Sequence, residues 1–118
     1  MGNPLCHFEF MSDDPEKCRK FYGSVFGWEL DDKSMPGYTM INTGSEPCGG
    51  MMQRPSEAPH ACLNVYFQVD DIPGTLERIQ AAGGTIHVGE TEIPDVGWFA
   101  FAADTEGVTF GLFKHKAN

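Results

Sequence analysis

The sequence is short of positive charge. Eight lysines and arginines stand against 17 aspartates and glutamates, a net charge of −9. A surface of that sign repels a phosphate backbone or an anionic bilayer, so neither nucleic acid nor a membrane is expected as partner. Long apolar runs are also missing: none reaches the roughly 18–20 residues that span a bilayer. The start, MGNPLCHFEF, has no basic stretch followed by an apolar one, and Gly2 is not followed by the Ser or Thr that myristoylation favours. No secretory leader and no lipid anchor are therefore expected. The four cysteines, Cys6, Cys18, Cys48 and Cys62, form no C-x-x-C and no zinc-finger spacing. Without a leader they read as reduced thiols in a cytoplasm. Cys6 and His7 are not a ligand pair, because adjacent strand residues point to opposite faces. GSEPCGG lacks the spacing and the Lys-Ser/Thr of a phosphate-binding loop, and neither a nucleophile elbow nor a dinucleotide fingerprint occurs.

What is present is a repeat. The 118 residues, 41% hydrophobic and 21% charged, suit one domain with a real core. A shift of 57 residues lays HFEFMSDDPEKCRKFYGSVFGWEL on NVYFQVDDIPGTLERIQAAGGTIH, with His7 on Asn64, Phe10 on Phe67, Asp13-Asp14 on Asp70-Asp71 and Gly27 on Gly84. Each half reads as strand, acidic turn, helix, glycine, strand. The aspartates cap the helix starts, and Pro15 or Pro73 suits the first turn.

A helix over about 14–26 has Cys18, Phe21, Tyr22 and Val25 on one face. A second, over about 72–82, has Ile72, Leu76 and Ile79 with Ala82 or Gly83, and ends at Gly83-Gly84. Short β-like runs follow: GWELDD, GYTMINT and CGGMMQ, then TIHVGE, WFAFAAD and VTFGLFK, separated by turn residues. The fold class is α+β: two βαβββ modules, about 3–53 and 62–115, joined by the Pro-rich linker 54–61. They form a curved mixed sheet with helices on its outer face. The inner faces must meet each other or a ligand, so a cleft between modules is the default site.

Strand alternation sorts the candidates. Cys6, Phe8 and Phe10 share one face with the helix, as do Leu63, Val65, Phe67 and Val69. His7, Glu9 and Met11, with Asn64, Tyr66 and Gln68, take the other. That half-polar set would be costly in a merely structural core. Met51 or Met52 and Trp98 or Phe99 would add apolar walls. Gly49-Gly50 and Gly111 leave room, as where a ligand approaches the backbone. His7 and Glu9 lie two residues apart on one face. A carboxylate there would raise the imidazole pKa and orient its tautomer, suiting a general base acting beside a carbonyl. The same pair also suits hydrogen bonding to a ligand, or a satisfied interior pair. His60, His87 and His115 read as surface residues, Asp13-Asp14 and Asp70-Asp71 as caps, and Trp28 and Phe21-Tyr22 as core aromatics.

The segments DPEKCRKFYGSVFGWEL, CGGMM, VDDIPGTLERIQAAGGTI and FAADTEGVTFGLF resemble the vicinal oxygen chelate superfamily, the glyoxalase, bleomycin-resistance and extradiol-dioxygenase group. They are most similar to the subgroup of predicted enzymes related to lactoylglutathione lyase. The resemblance spans nearly the whole chain. It implies paired βαβββ modules, a homodimer, and in many members a divalent metal held by four side chains on the first and last strands of each module. Here those positions fall on His7, on Gly49 or Gly50, on Asn64 and on about Gly111. Only His7 is a good ligand, so no metal and no other cofactor is expected.

Three functions follow as expectations. The first is a lyase- or isomerase-type enzyme, metal-independent or weakly metal-assisted, acting on a small carbonyl compound through His7 and Glu9. The second is a non-catalytic protein that sequesters an antibiotic or aromatic molecule. The third is a glyoxalase-type metalloenzyme. A dioxygenase-like activity is implied by the resemblance alone.

Overall fold

The computed structural model describes residues 2–56, 58 and 60–116. In chain order the elements are β1 (Leu5–Ser12), α1 (Pro15–Phe26), β2 (Glu29–Met35), β3 (Tyr38–Asn42) and β4 (Gly49–Gln53), then β5 (Cys62–Gln68), α2 (Ile72–Ala81), β6 (Thr85–Ile93), β7 (Gly97–Ala103) and β8 (Thr109–His115). This is βαβββ twice, an α+β fold.

The helix starts repeat as the sequence implies. The Asp14 side chain accepts from the Lys17 amide, and the Asp71 side chain accepts from the Gly74 amide. Each cap satisfies an amide that has no partner within its helix, and Pro15 and Pro73 fill first-turn positions where no N–H is needed. Gly27 closes α1 in the left-handed region at φ +69, its N–H donating to the Gly23 carbonyl.

The chain divides into two compact units, residues 7–64 and residues 1–6 with 65–118. In the first, the strand order is β2-β3-β4-β1, with β1 and β4 parallel and the other pairs antiparallel. In the second it is β6-β7-β8-β5, with β5 and β8 parallel. The two topologies are the same, element for element.

In the first unit Thr39, Ile41 and Met51 are almost fully buried. Tyr22 of α1 lies 4.6 Å from Phe10 and stacks on Trp28 at 5.5 Å, while Arg19 donates to the Thr39 hydroxyl at 3.2 Å. These contacts turn α1 onto its Arg19–Tyr22 edge. Phe21 and Val25, expected on the core face, are consequently 56% and 54% exposed.

In the second unit Val69, Ile72, Leu76, Ala100 and Leu112 form the core, with Ile79, Ile86, Trp98 and Phe110 packed on it. The expected apolar face of α2 is thus the observed one. Trp98 corrects the sequence reading, because it packs on the helix-covered core and is paired with Lys114. Its neighbour Phe99 takes the opposite face.

Of the linker 54–61, residues 57 and 59 lie outside the described residues. Arg54 ties the described part back to the first unit through Asp13 at 2.7 Å. All four cysteines are free. Among the described residues no helix is long and apolar enough to cross a membrane.

Candidate functional site

The site forms on one face of the first unit, where β4 lies between β3 and β1. Glu9 stands opposite Gly50 across the β1/β4 pair, and Tyr38 stands opposite Met52 across the β3/β4 pair. From β3, the Tyr38 ring passes over Gly50 and reaches β1 beyond it. Its hydroxyl lies 2.9 Å from His7 Nε2 and donates to Glu9 Oε2 at 2.9 Å. A Cβ on Gly50 would overlap that hydroxyl. Glycine at this position therefore lets the phenol span two strand intervals.

Burial sets the electrostatics. Glu9 is only 7% exposed. Burial, then the Glu9 charge and its hydrogen bond, hold the Tyr38 phenol far above its usual range, so it remains a proton donor. At His7, burial lowers the imidazole pKa against the opposing effects of the Glu9 charge and of a hydrogen bond with the Cys48 backbone. The expected rise from a neighbouring carboxylate is present but smaller than the desolvation cost. The His7–Glu9 pairing read from alternation is real as a neighbourhood. What alternation could not show is the hydroxyl between them. Tyr38 is the residue that sequence reasoning missed.

The remaining candidates divide between the units. In the first, Met11 is buried opposite Met52, and the Asn64 amide points at the Met11 sulfur at 3.6 Å. Met51 is fully buried on the opposite, helix-covered face. A shallow open hollow lies alongside, lined by Glu29, Leu30, Asp31, Met40 and Asn42. In the second unit, Tyr66 stands opposite Gly111 and Gln68 opposite Phe113. The Tyr66 ring lies against Gly111 so closely that a Cβ there would overlap it. The room left by Gly50 and Gly111, read from sequence as space for a ligand, is taken by the chain's own tyrosine rings. Tyr66, Phe101 and Phe99 follow one another at 5.5 Å between centroids, and His115 sits edge-on to Phe113 at 4.6 Å. His60, His87 and His115 are exposed.

The donors do not fit the four-ligand metal set that the resemblance implies. A divalent ion needs nitrogen and oxygen donors converging at about 2.0–2.2 Å. Of the four positions only His7 offers a strong one, since Gly50 and Gly111 lie under rings and Asn64 faces Met11. Among the described residues no three His, Cys, Asp or Glu side chains come together as a metal site.

Comparison with known proteins agrees with this fold. The family model described as Glyoxalase/Bleomycin resistance protein/Dioxygenase superfamily matches residues 5–112. CFP32 of Mycobacterium tuberculosis, which carries the name of a glyoxylase, is 29% identical over 113 residues, covering 90% of this chain. The chain spans 43% of that relative's length. Methylmalonyl-CoA epimerase from Mycobacterium tuberculosis superposes with a TM-score of 0.70 at 15% identity, over 96% of this chain and 88% of the other. The Mn(II)-bound glyoxalase from Novosphingobium aromaticivorans gives 0.68 at 12% identity, over 95% of this chain and 38% of the other. At such identities both likenesses bear on the fold.

Proposed function

We propose that this chain, which belongs to the Glyoxalase/Bleomycin resistance protein/Dioxygenase superfamily, moves a proton beside the carbonyl of a small molecule on its His7–Tyr38–Glu9 face. The observation that carries this reading is the buried Glu9 carboxylate joined through one hydroxyl to His7. In the proposed reaction Glu9 takes the proton from the carbon next to the carbonyl. The C–H electron pair moves into the new C=C bond, and the carbonyl oxygen becomes an enolate. Once Glu9 is protonated it no longer needs the Tyr38 proton, which turns with the His7 N–H toward the enolate oxygen. Returning the proton to a neighbouring atom gives an isomerase, and expelling a group from the next carbon gives a lyase. No metal takes part in this scheme. A cytoplasmic location and a homodimer belong to the same proposal, the latter because β2 and β6 are sheet edges that need cover.

The test is deuterium uptake. Small α-hydroxyaldehydes, α-hydroxyketones and 2-oxo acids are incubated with the protein in D2O and followed by NMR. Exchange at the carbon beside the carbonyl is expected with the native chain and is lost in Glu9→Gln. Equal rates in both proteins would sink the reading.

The Tyr66–Phe101–Phe99 wall favours a second reading, a protein that holds a planar aromatic or antibiotic molecule without changing it. Saturable binding of such a compound, recovered intact, together with no exchange in D2O, would select it.

A further inference from the structure

We propose that the Tyr38 hydroxyl is a proton relay, through which a proton taken up by Glu9 passes to His7 and so to solvent. The relay rests on the proton abstraction proposed above and names how Glu9 is reset. Glu9 is 7% exposed, whereas His7 is half-buried. A proton on the carboxyl is therefore shut in, and the imidazole is the more open of the two. The Tyr38 hydroxyl touches both, 2.9 Å from Glu9 Oε2 and 2.9 Å from His7 Nε2. A hydroxyl donates one hydrogen and also accepts, so it can face either way along this line.

With the carboxyl protonated, the Glu9 O–H donates to the phenol oxygen and the phenol O–H donates to Nε2. After the shift, Nε2–H donates to the phenol oxygen and the phenol O–H donates to the Glu9 carboxylate. Two hydrogens each move across one hydrogen bond. The Glu9 O–H and the old phenol O–H break as a new phenol O–H and the Nε2–H form. The phenol ends as it began, and the imidazolium then gives its proton to water. His7 also hydrogen-bonds the Cys48 backbone, in a contact that favours the charged ring and so has the ring as donor. A neutral ring that keeps its hydrogen there leaves Nε2 open to the arriving proton. Burial holds the phenol well above its usual range, so no tyrosinate builds up and both hydrogens move together. Burial also lowers the His7 pKa, which favours the final release. Gly50 belongs to the device, because a side chain there would overlap the hydroxyl that joins the two groups.

The experiment takes two readouts from one sample. Chiral members of the same compound panel are incubated in D2O with the full chain, with Tyr38→Phe and with His7→Gln, and the backbone amide spectrum confirms that each variant is folded. Conversion to an isomer or to the opposite enantiomer counts the protons that Glu9 moves. Deuterium in the product counts those that reached solvent. The native product is expected to carry deuterium. In both variants the ratio of deuterium uptake to conversion should fall about 10²-fold, the low end for a positioned proton-transfer group. Phenylalanine keeps the ring but removes the relay oxygen, and glutamine keeps a hydrogen-bond donor beside Tyr38 but takes up no proton. A general loss of shape would lower both rates and leave their ratio unchanged. A native product free of deuterium, or a native ratio in either folded variant, would overturn the relay while leaving Glu9 as the base. A native protein that converts none of the compounds and takes up no deuterium would end the proposed function and the relay with it.

Discussion

Tyr38 lies across Gly50. The ring comes from β3, the glycine sits on β4, and the hydroxyl ends between His7 and Glu9 on β1. The missing side chain on the middle strand joins two residues on one strand to a third that is not its neighbour. The space over that glycine is therefore occupied by protein. A small molecule on this face meets the phenol before it meets the β4 backbone.

Gly50→Ala is expected to destabilise the protein by about 1–3 kcal/mol, the usual cost of overfilling a packed site. The added carbon overlaps the Tyr38 hydroxyl, which two hydrogen bonds hold in place. Removing the ring as well, in Tyr38→Ala with Gly50→Ala, should recover part of the loss because the clash disappears. Urea unfolding of the two singles and the double closes the cycle. A Gly50→Ala protein as stable as the native one would show that the ring moves freely.

The second unit repeats the device with a ring from the adjacent strand. A Cβ on Gly111 would run into the Tyr66 ring, while one on Gly89 of β6 would meet nothing within 4 Å. Gly111→Ala is therefore expected to cost about 1–3 kcal/mol. Gly89→Ala should be neutral, or stabilising through the lost freedom of its unfolded chain. Thermal unfolding of the pair tests this, and equal shifts would refute the packing argument.

What the sequence shows clearly is local. Asp14 and Asp71, Gly27, the α2 face and the strand–helix–strand order follow from caps, turns and periodicity within a few residues. The repeat supplies each of them twice. The His7/Glu9 face was legible because alternation along one strand decides it. Tyr38 was not, because its role depends on the β3-β4-β1 order, and it lies 31 and 29 residues from its partners. The choice between Trp98 and Phe99 was not legible for a smaller reason, and Phe99 is the one that lies in line with Phe101 and Tyr66. One residue of parity decides the face, and a turn that ends just before Gly97 does not reveal it. The exposure of Phe21 and Val25 reflects a rotation of α1 about its own axis, set by Arg19–Thr39 and by the Tyr22 stack.

The two capping aspartates offer a matched comparison. Asp14→Ala and Asp71→Ala each remove a side-chain acceptor from an amide that the helix cannot satisfy. Each is expected to cost about 0.5–2 kcal/mol. Asp71 should stand at the upper end, because α2 buries Ile72 and Leu76 whereas α1 buries no residue fully. Fraying of α2 thus exposes core. Denaturant unfolding gives the two values, and a larger loss for Asp14→Ala would contradict this ranking.

His7 makes stability depend on pH, and the sign follows from burial. Desolvation lowers the imidazole pKa in the folded chain below its ordinary 6.5, against the opposing pull of Glu9 and of the Cys48 backbone. Below that value the unfolded chain binds a proton that the folded chain resists, so stability rises with pH across the interval. The His7 contribution is complete above about 6.5, the unfolded value, and is lost as pH falls from there toward the folded pKa, below which the curve flattens. Replacing His7 with Gln removes the titration while keeping a polar side chain beside Tyr38. The native protein should therefore lose more stability than His7→Gln between pH 7.5 and pH 5, as followed by urea unfolding at each pH. Parallel curves for the two proteins would show that burial does not set the charge of this imidazole. A native curve that steepens in the opposite sense would mean that Glu9, rather than desolvation, controls it.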